Sequence, residues 1–379
     1  MSNPAREKLD LFRAAKLLLA NVQNMEKMRK EGALAASPAD RTCHSALVAE
    51  FREKVKGLHK KAILILDRAT DMKDRRTLRE AILREADRQP TSVFVRTSIL
   101  GDVLENMKEI GDLAGEIEPH CLPISPDISL VFPEWIGGSA LEGYLSGLPA
   151  PVRNNHPPAA FGRITNYHEA FGHGTEGDEF EAWGDGAKGK RMGAALRANQ
   201  ELRADIAAIA GSFRDTGNAN AAKAWIAVRD LAALRQTHQF FRKNARFSTE
   251  PVNYANGHIL RKVLAEIEEK GPSFRTLDDN ALLAFVDDAW VRHRLTSYDY
   301  DLRKAMLPEA YSIALEAAEG KTATHDRLKR DDPQLFREAL AYLDDCADAL
   351  CLLCKVDAKQ LRVKPAAASK RRRGPSPRP

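Results

Sequence analysis

The stretch Ile164-Thr165-Asn166-Tyr167-His168-Glu169-Ala170-Phe171-Gly172-His173-Gly174-Thr175 decides how this chain is read. Just upstream, Pro157 and Pro158 suit a helix start near Ala159, because proline is tolerated in a first helical turn. Within the stretch a His-Glu pair precedes a second histidine. On a helix, that order is how many enzymes hold zinc and place a general base beside it. The familiar spacing puts the histidines four apart, but His168 and His173 are five apart. On a regular helix five residues turn through about 500°, so the two rings would diverge by roughly 140°. They can face one ion only if the helix carries an extra residue in that turn, a π-like bulge. Gly172, directly before His173, permits such a distortion at little steric cost.

A zinc site needs a third protein ligand, with a fourth position left for water. Downstream, Gln200-Glu201-Leu202-Arg203-Ala204-Asp205 lies in a helical pattern whose apolar stripe is Leu202, Ile206, Ile209 and Phe213. Glu201 borders that stripe and can reach inward as the third ligand. Asp205, one turn later on the same face, can orient a ligand histidine by accepting from its other ring nitrogen. The acids Glu176, Asp178, Glu179 and Glu181 follow the second histidine and read as a solvated loop, with spare ligands the less favoured alternative.

His-Glu-x-x-Gly-His-Gly followed by Glu-x-Arg-Ala-Asp resembles the dipeptidyl-peptidase III family and related metallohydrolases. Trp225, Val228-Arg229, Leu234 and then Ile259-Leu260-Arg261-Lys262-Val263-Leu264 look like that family in the same order. The resemblance covers about residues 160 to 270. It implies that His168, His173 and Glu201 bind Zn²⁺ and that Glu169 acts as the base in amide-bond hydrolysis of a short peptide or peptide-like substrate. It also implies a histidine that steadies the transition state just before the Ile-Leu-Arg helix, where this chain has His258. For that role Tyr254 and His238 stay open beside His258.

A rival reading centres on His238, which sits on the apolar stripe Val228, Leu231, Leu234, His238 and Phe241. A buried histidine on such a stripe can be an axial haem ligand. The run Val228-Arg229-Asp230-Leu231-Ala232-Ala233-Leu234-Arg235-Gln236-Thr237-His238 loosely resembles the haem-ligand helix of the indoleamine and tryptophan dioxygenase superfamily. Fragments from Leu122-Pro123 to Trp135 and from Phe161 to Arg163 occur in a compatible order. That resemblance implies a haem-dependent oxygenase of an aromatic substrate. A third reading is a helical interaction protein without chemistry. Cys351 and Cys354 form a Cys-x-x-Cys with Cys346 upstream, but no second pair follows, so they read as buried small apolar residues.

Composition bounds the rest. The 379 residues suit one large domain or two modest ones. The net charge of +5 equals the contribution of Lys370, Arg371, Arg372, Arg373 and Arg378 in the tail, so the body is nearly neutral. Bulk charge therefore gives no argument for nucleic acid except through that tail. Five cysteines do not suggest a disulfide scaffold. No signal peptide is evident, and no apolar run is long enough to cross a membrane, so a cytoplasmic location is expected.

Apolar spacing predicts helices through most of residues 5–120, where Leu47, Phe51, Val55 and Leu58 continue into Ile63, Ile65 and Leu66. A further helix carries Ile99, Val103, Met107, Ile110 and Leu113. Residues 119–158 are rich in proline and glycine and read as an irregular segment before the active-site helix, with one short strand at 128–132. Helices follow at 191–213, about 219–245, about 253–270, about 278–306 and 333–355. The expected fold is all-α, a multi-helix globular bundle. It divides into an N-terminal helical region at 1–118, a helical catalytic region at 119–356 and a disordered basic tail at 357–379.

Overall fold

Between residues 187 and 242 the chain is almost continuously helical, and these two helices carry the centre of the fold. The computed structural model describes residues 9–30, 38–58, 61–67, 75–89, 120–125, 128–133, 158–176, 187–242, 250–354 and 356–361. The expected helix at 99–113, most of the proline-rich segment with Trp135, the acids Asp178, Glu179 and Glu181, and the tail from residue 362 onward lie outside the described residues; the start of the expected tail is structured instead, with a 3-10 turn at Ala358–Gln360 and Leu361 buried against Ala14 and Ala347.

In chain order the described elements are α1 (Leu11–Lys30), α2 (Pro38–Lys56), β1 (Ala62–Ile65), α3 (Arg75–Asp87), β2 (His120–Ser125), β3 (Ile128–Phe132) and α4 (Pro158–Asn166). A π-helical turn, Tyr167–Gly172, and a short 3-10 turn, His173–Thr175, come next. Then follow α5 (Ala187–Thr216), α6 (Asn220–Arg242), α7 (Glu250–Tyr254), α8 (Gly257–Lys270), α9 (Asp279–His293), α10 (Ser297–Ala318), α11 (Ala323–Asp331) and α12 (Pro333–Cys354). The fold is all-α with one small sheet. Among the described residues no helix is long and apolar enough to cross a membrane.

α5 is the hub. It packs against the π turn, α4, α6, α7, α8 and α9, while α6 packs in addition against α10 and α12. Small residues make this close packing possible: Ala204, Ala207, Ala208 and Ala210 on α5 and Ala224, Ala227 and Ala233 on α6 are buried. One apolar core runs through these helices and takes in Leu18 and Val22 of α1, Phe51 of α2 and Leu343 and Leu350 of α12. Cys346 is buried in the same core, in keeping with its apolar reading.

The sheet corrects the expectation for residues 62–66. Ile63, Ile65 and Leu66 do not continue a helix: Ala62–Ile65 is a strand, paired in parallel with β3 from Ala62↔Ile128 to Ile65↔Val131. β2 runs antiparallel to β3, so the order is β1-β3-β2. Both faces of β1 are covered. Ile63, Ile65 and Val131 join the helical core, while Leu64, Leu66, Leu130 and Phe132 pack with Leu78 and Ile82 of α3. A strand buried on both faces loses its polar alternation, and a short apolar run then looks like a buried helical turn. The expected strand at 128–132 is present. The expected 278–306 helix is two helices. α9 ends before Arg294, and Thr296 starts α10 with a capping box in which its side chain and Asp299 satisfy each other's backbone N–H groups.

Candidate metal centre

The turn that the histidine spacing required is present. α4 passes into the π turn, and the His173 backbone N–H donates to both His168 O and Glu169 O. The bond to His168 O spans five residues, so one extra residue is taken up and both histidines come to one side of the helix. Their ring centroids lie 4.8 Å apart at an interplanar angle of 85°.

Two glycines and an arginine press this irregular turn onto α5. A Cβ on Gly172 would lie 2.6 Å from Ala204 Cβ and closer still to Ala204 Cα. A Cβ on Gly211 would overlap the Tyr167 ring. Only hydrogen at these two positions allows the approach. Arg203, fully buried, then ties down the end of the turn. Its Nη1 donates to Phe171 O at 3.4 Å and to Gly172 O at short range, and its Nη2 donates to Thr175 Oγ1 at 2.8 Å. Asp287 Oδ1 balances the charge at 2.8 Å and 3.0 Å. Thr175 Oγ1 in turn donates to Phe171 O at 2.6 Å. The carbonyls that the wide turn leaves without regular helical donors are thus satisfied from side chains.

Opposite the histidines stands Glu201 of α5. His168 Nε2 is 3.5 Å from Glu201 Oε2, and His173 Nε2 is 3.8 Å from Glu201 Oε1. His168, His173 and Glu201 each offer one ligand atom, all within 4.8 Å of one another, so the three can hold a metal ion. The other ring nitrogen of each histidine meets a carboxylate. His168 Nδ1 lies 3.2 Å from Asp205 Oδ1, and His173 Nδ1 lies 2.8 Å from Glu176 Oε1. Gln200 Nε2 holds the far oxygen of Glu176 at 3.0 Å. This pairing directs both Nε2 atoms at Glu201, the arrangement by which carboxylates fix the tautomer and aim of ligand histidines. Glu201 and Asp205 reach one place because they are four residues apart on one helix.

The charges reinforce one another. Burial alone would lower the His173 pKa, but the carboxylates of Glu176, Glu201 and Glu169 outweigh it and raise it to about 10. Burial works against ionised Glu201, yet hydrogen-bonded His168 with His173 and Arg229 holds its carboxyl well below the usual range. Asp205 is lowered despite complete burial because Arg229 and His168 face it.

Arg229 of α6 completes the cluster. Its Nε donates to Asp205 Oδ1 at 2.6 Å, and its Nη2 reaches Glu201 Oε2 at 3.1 Å and the His168 ring nitrogens at 3.1 Å and 3.3 Å. Its guanidinium carbon lies 4.8 Å from the ring centroids of both Trp225 and Tyr254. Asp205 also accepts from Trp225 Nε1 at 3.1 Å and from Asn256 Nδ2 at 3.2 Å.

Glu169, next to the first ligand, is buried, and among the described residues its carboxylate makes no hydrogen bond or ion pair. Its charge is felt by His173 and by the Cys121 thiol of β2, which burial, Glu169 and Glu176 together push upward. Tyr254 borders the cluster through its ring, which lies against the Arg229 guanidinium. His258 is exposed at the start of α8, with Nε2 at 3.4 Å from Arg303 Nη2. Arg303 donates to Asn256 Oδ1 at 2.7 Å, so His258 is linked to Asp205 only through two intervening side chains. His238 is buried elsewhere on α6, with Nδ1 at 2.8 Å from the Tyr311 hydroxyl. It follows Arg229 by nine residues, about two and a half turns, which puts it on the opposite face of the helix.

Three residues were not assigned a role from the sequence. Glu176 is not a solvated loop acid: its side chain is 14% exposed and bonded to His173. Arg203 and Arg229 fall among buried small and apolar residues on α5 and α6, and a cation in such surroundings was the available sign. No protein-family model matches the chain, and neither a curated protein nor a solved structure matches it.

Proposed function

We propose that this chain is a zinc-dependent hydrolase that cleaves amide bonds in short peptides or peptide-like substrates. The observation that carries the proposal is the π turn. It brings His168 and His173 together against Glu201, and it leaves buried Glu169 beside them without a partner among the described residues. Two histidines and a glutamate form a donor set suited to zinc with a position left for water. The motif order that resembles the dipeptidyl-peptidase III family supports the same chemistry.

Bound zinc supplies a Lewis acid and lowers the pKa of a bound water to about 7. The chain's own residues do the rest. Asp205 and Glu176 keep the Nδ1 protons of His168 and His173 and so hold both rings in the ligating tautomer. Glu169 takes a proton from the attacking water and delivers it to the leaving amine. It is buried and has no hydrogen-bond partner among the described residues, which leaves the carboxylate available for that transfer.

The test is Glu169→Gln. The purified wild type should carry stoichiometric zinc and hydrolyse members of a short-peptide library. The variant should keep the zinc and lose turnover by at least ~10²-fold, the usual scale for a general base. Equal turnover in the variant defeats the mechanism. Absence of zinc together with a haem Soret band would replace this reading with the His238 oxygenase.

A further inference from the structure

The hydrolase reading leaves open which side chain meets the negative charge that develops on the scissile carbonyl oxygen. Neither His258 nor His238 is placed to do it. His258 Nε2 faces Arg303, and His238 is on the far face of α6 with its Nδ1 beside the Tyr311 hydroxyl, while the Tyr254 ring lies against the Arg229 guanidinium. Resting on the metallohydrolase reading, we infer that Arg229 is the oxyanion-binding residue of this site, with Nη1 as the donor.

Three features of the guanidinium lead there. First, it is held rigidly. One edge, Nε with Nη2, is anchored on Asp205 Oδ1, and the plane is flanked by Trp225 and Tyr254. Second, Nη2 reaches the ligand cluster as well as Asp205. Nη2 reaches Glu201 Oε2 at 3.1 Å, and the fixed fork of arginine makes the adjacent Nη1–H point in nearly the same direction. Third, that Nη1 is uncommitted: no described residue accepts a hydrogen bond from it, although the side chain is only 10% exposed. A buried cation that spends one edge on its anchors and keeps Nη1 uncommitted beside a metal-ligand carboxylate is preorganised for an anionic oxygen.

The step balances without any proton leaving arginine. Water adds to the carbonyl carbon, the C=O π pair moves onto oxygen, and Nη1–H donates a hydrogen bond to that oxygen. Collapse re-forms the C=O bond and breaks the C–N bond, with the amine leaving on the proton that Glu169 carries. Aromatic flanking makes the arrangement specific to arginine, because a lysine ammonium offers neither the plane nor the second edge.

The experiment uses the full chain loaded with cobalt(II) in place of zinc and reads the visible cobalt band. Methylphosphonate serves as a tetrahedral anionic probe and imidazole as a neutral one, on wild type, Arg229→Met and Arg229→Lys. The expected result is cobalt held by all three proteins, with imidazole affinity altered far less than phosphonate affinity. Methylphosphonate should bind Arg229→Met at least roughly tenfold more weakly than wild type, the loss of one charge-assisted hydrogen bond. Arg229→Lys should fall between the two. Unchanged phosphonate affinity in both variants overturns the assignment, and so does loss of cobalt from both, which would make Arg229 part of the ion site's scaffold. Wild type that takes up no cobalt refutes the metal reading itself, a different and separately visible result.

Discussion

Replacing Gly172 by alanine tests whether the π turn is what assembles the candidate metal centre. The added Cβ would sit 2.6 Å from Ala204 Cβ and nearer still to the Ala204 Cα, which is backbone and cannot rotate away. Ordinary carbon–carbon separations begin at ~3.5 Å, so the turn must retreat from α5 by about 1 Å. Overpacking of this kind typically costs about 1–3 kcal/mol. The geometric effect is larger. His173 follows Gly172 directly, whereas Glu201 belongs to α5, so the retreat separates the second histidine from the carboxylate it must share an ion with. Zinc–nitrogen bonds are ~2.0–2.1 Å and tolerate only ~0.2 Å, so a shift of about 1 Å removes one of three protein ligands. Displacing a residue that merely orients a ligand costs about 10–100-fold in affinity, which sets the lower bound here. The measurement is a zinc competition titration against a chromophoric chelator, with urea unfolding of the chelator-treated protein alongside. Gly172→Ala should bind zinc at least ~100-fold more weakly and unfold earlier. Adding Ala204→Gly should recover only part of the stability, because the clash with the backbone of residue 204 remains and glycine within α5 costs ~1 kcal/mol. Wild-type zinc affinity and wild-type stability in Gly172→Ala would show that the turn is not pressed against Ala204, and the argument for the site's assembly would fall.

Proton release at His173 and the arginine clamp on the turn give two further expectations. The His173 pKa is raised from 6.5 to about 10 in the absence of metal, chiefly by Glu176 against the opposing effect of burial, so its proton must leave when zinc binds. Zinc uptake near neutral pH should therefore release a proton detectable with an indicator dye, and affinity should climb with pH toward about 10. The same shift adds stability to metal-free protein that is complete below 6.5 and is lost as pH rises through about 10, a dependence that His173→Gln should flatten in urea titrations at several pH values. Arg203→Met leaves the carbonyls of Phe171 and Gly172 without their buried donor. At ~1–3 kcal/mol for each unsatisfied group it should lower the urea midpoint markedly and weaken zinc binding, and an unchanged midpoint would show that Arg203 does not clamp the turn.

What the sequence disclosed and what it withheld separate along a physical line. The extra residue between His168 and His173 was legible because it is a local matter, one turn of helix and one glycine, settled within six consecutive residues. Glu201 and Asp205 were legible because position against an apolar stripe follows from a period of 3.6. The strand at 62–65 was not, since burial on both faces erases the period that would have marked it. Glu176, Arg203 and Arg229 were not either, because each acquires its role from a partner on another element: His173, the carbonyls of the π turn, and the pair Glu201 and Asp205. The same distinction bears on His258. A histidine placed by motif order alone lies on the surface beside Arg303, while an arginine that the motif left without a role lies on the ligands. Order along the chain constrains which helix supplies a group, but the register between helices decides which residue of that helix arrives. Here that register is set where Gly172 meets Ala204 and where Tyr167 meets Gly211. Substitutions at those four positions should therefore move metal affinity even though none of the four side chains is a candidate ligand.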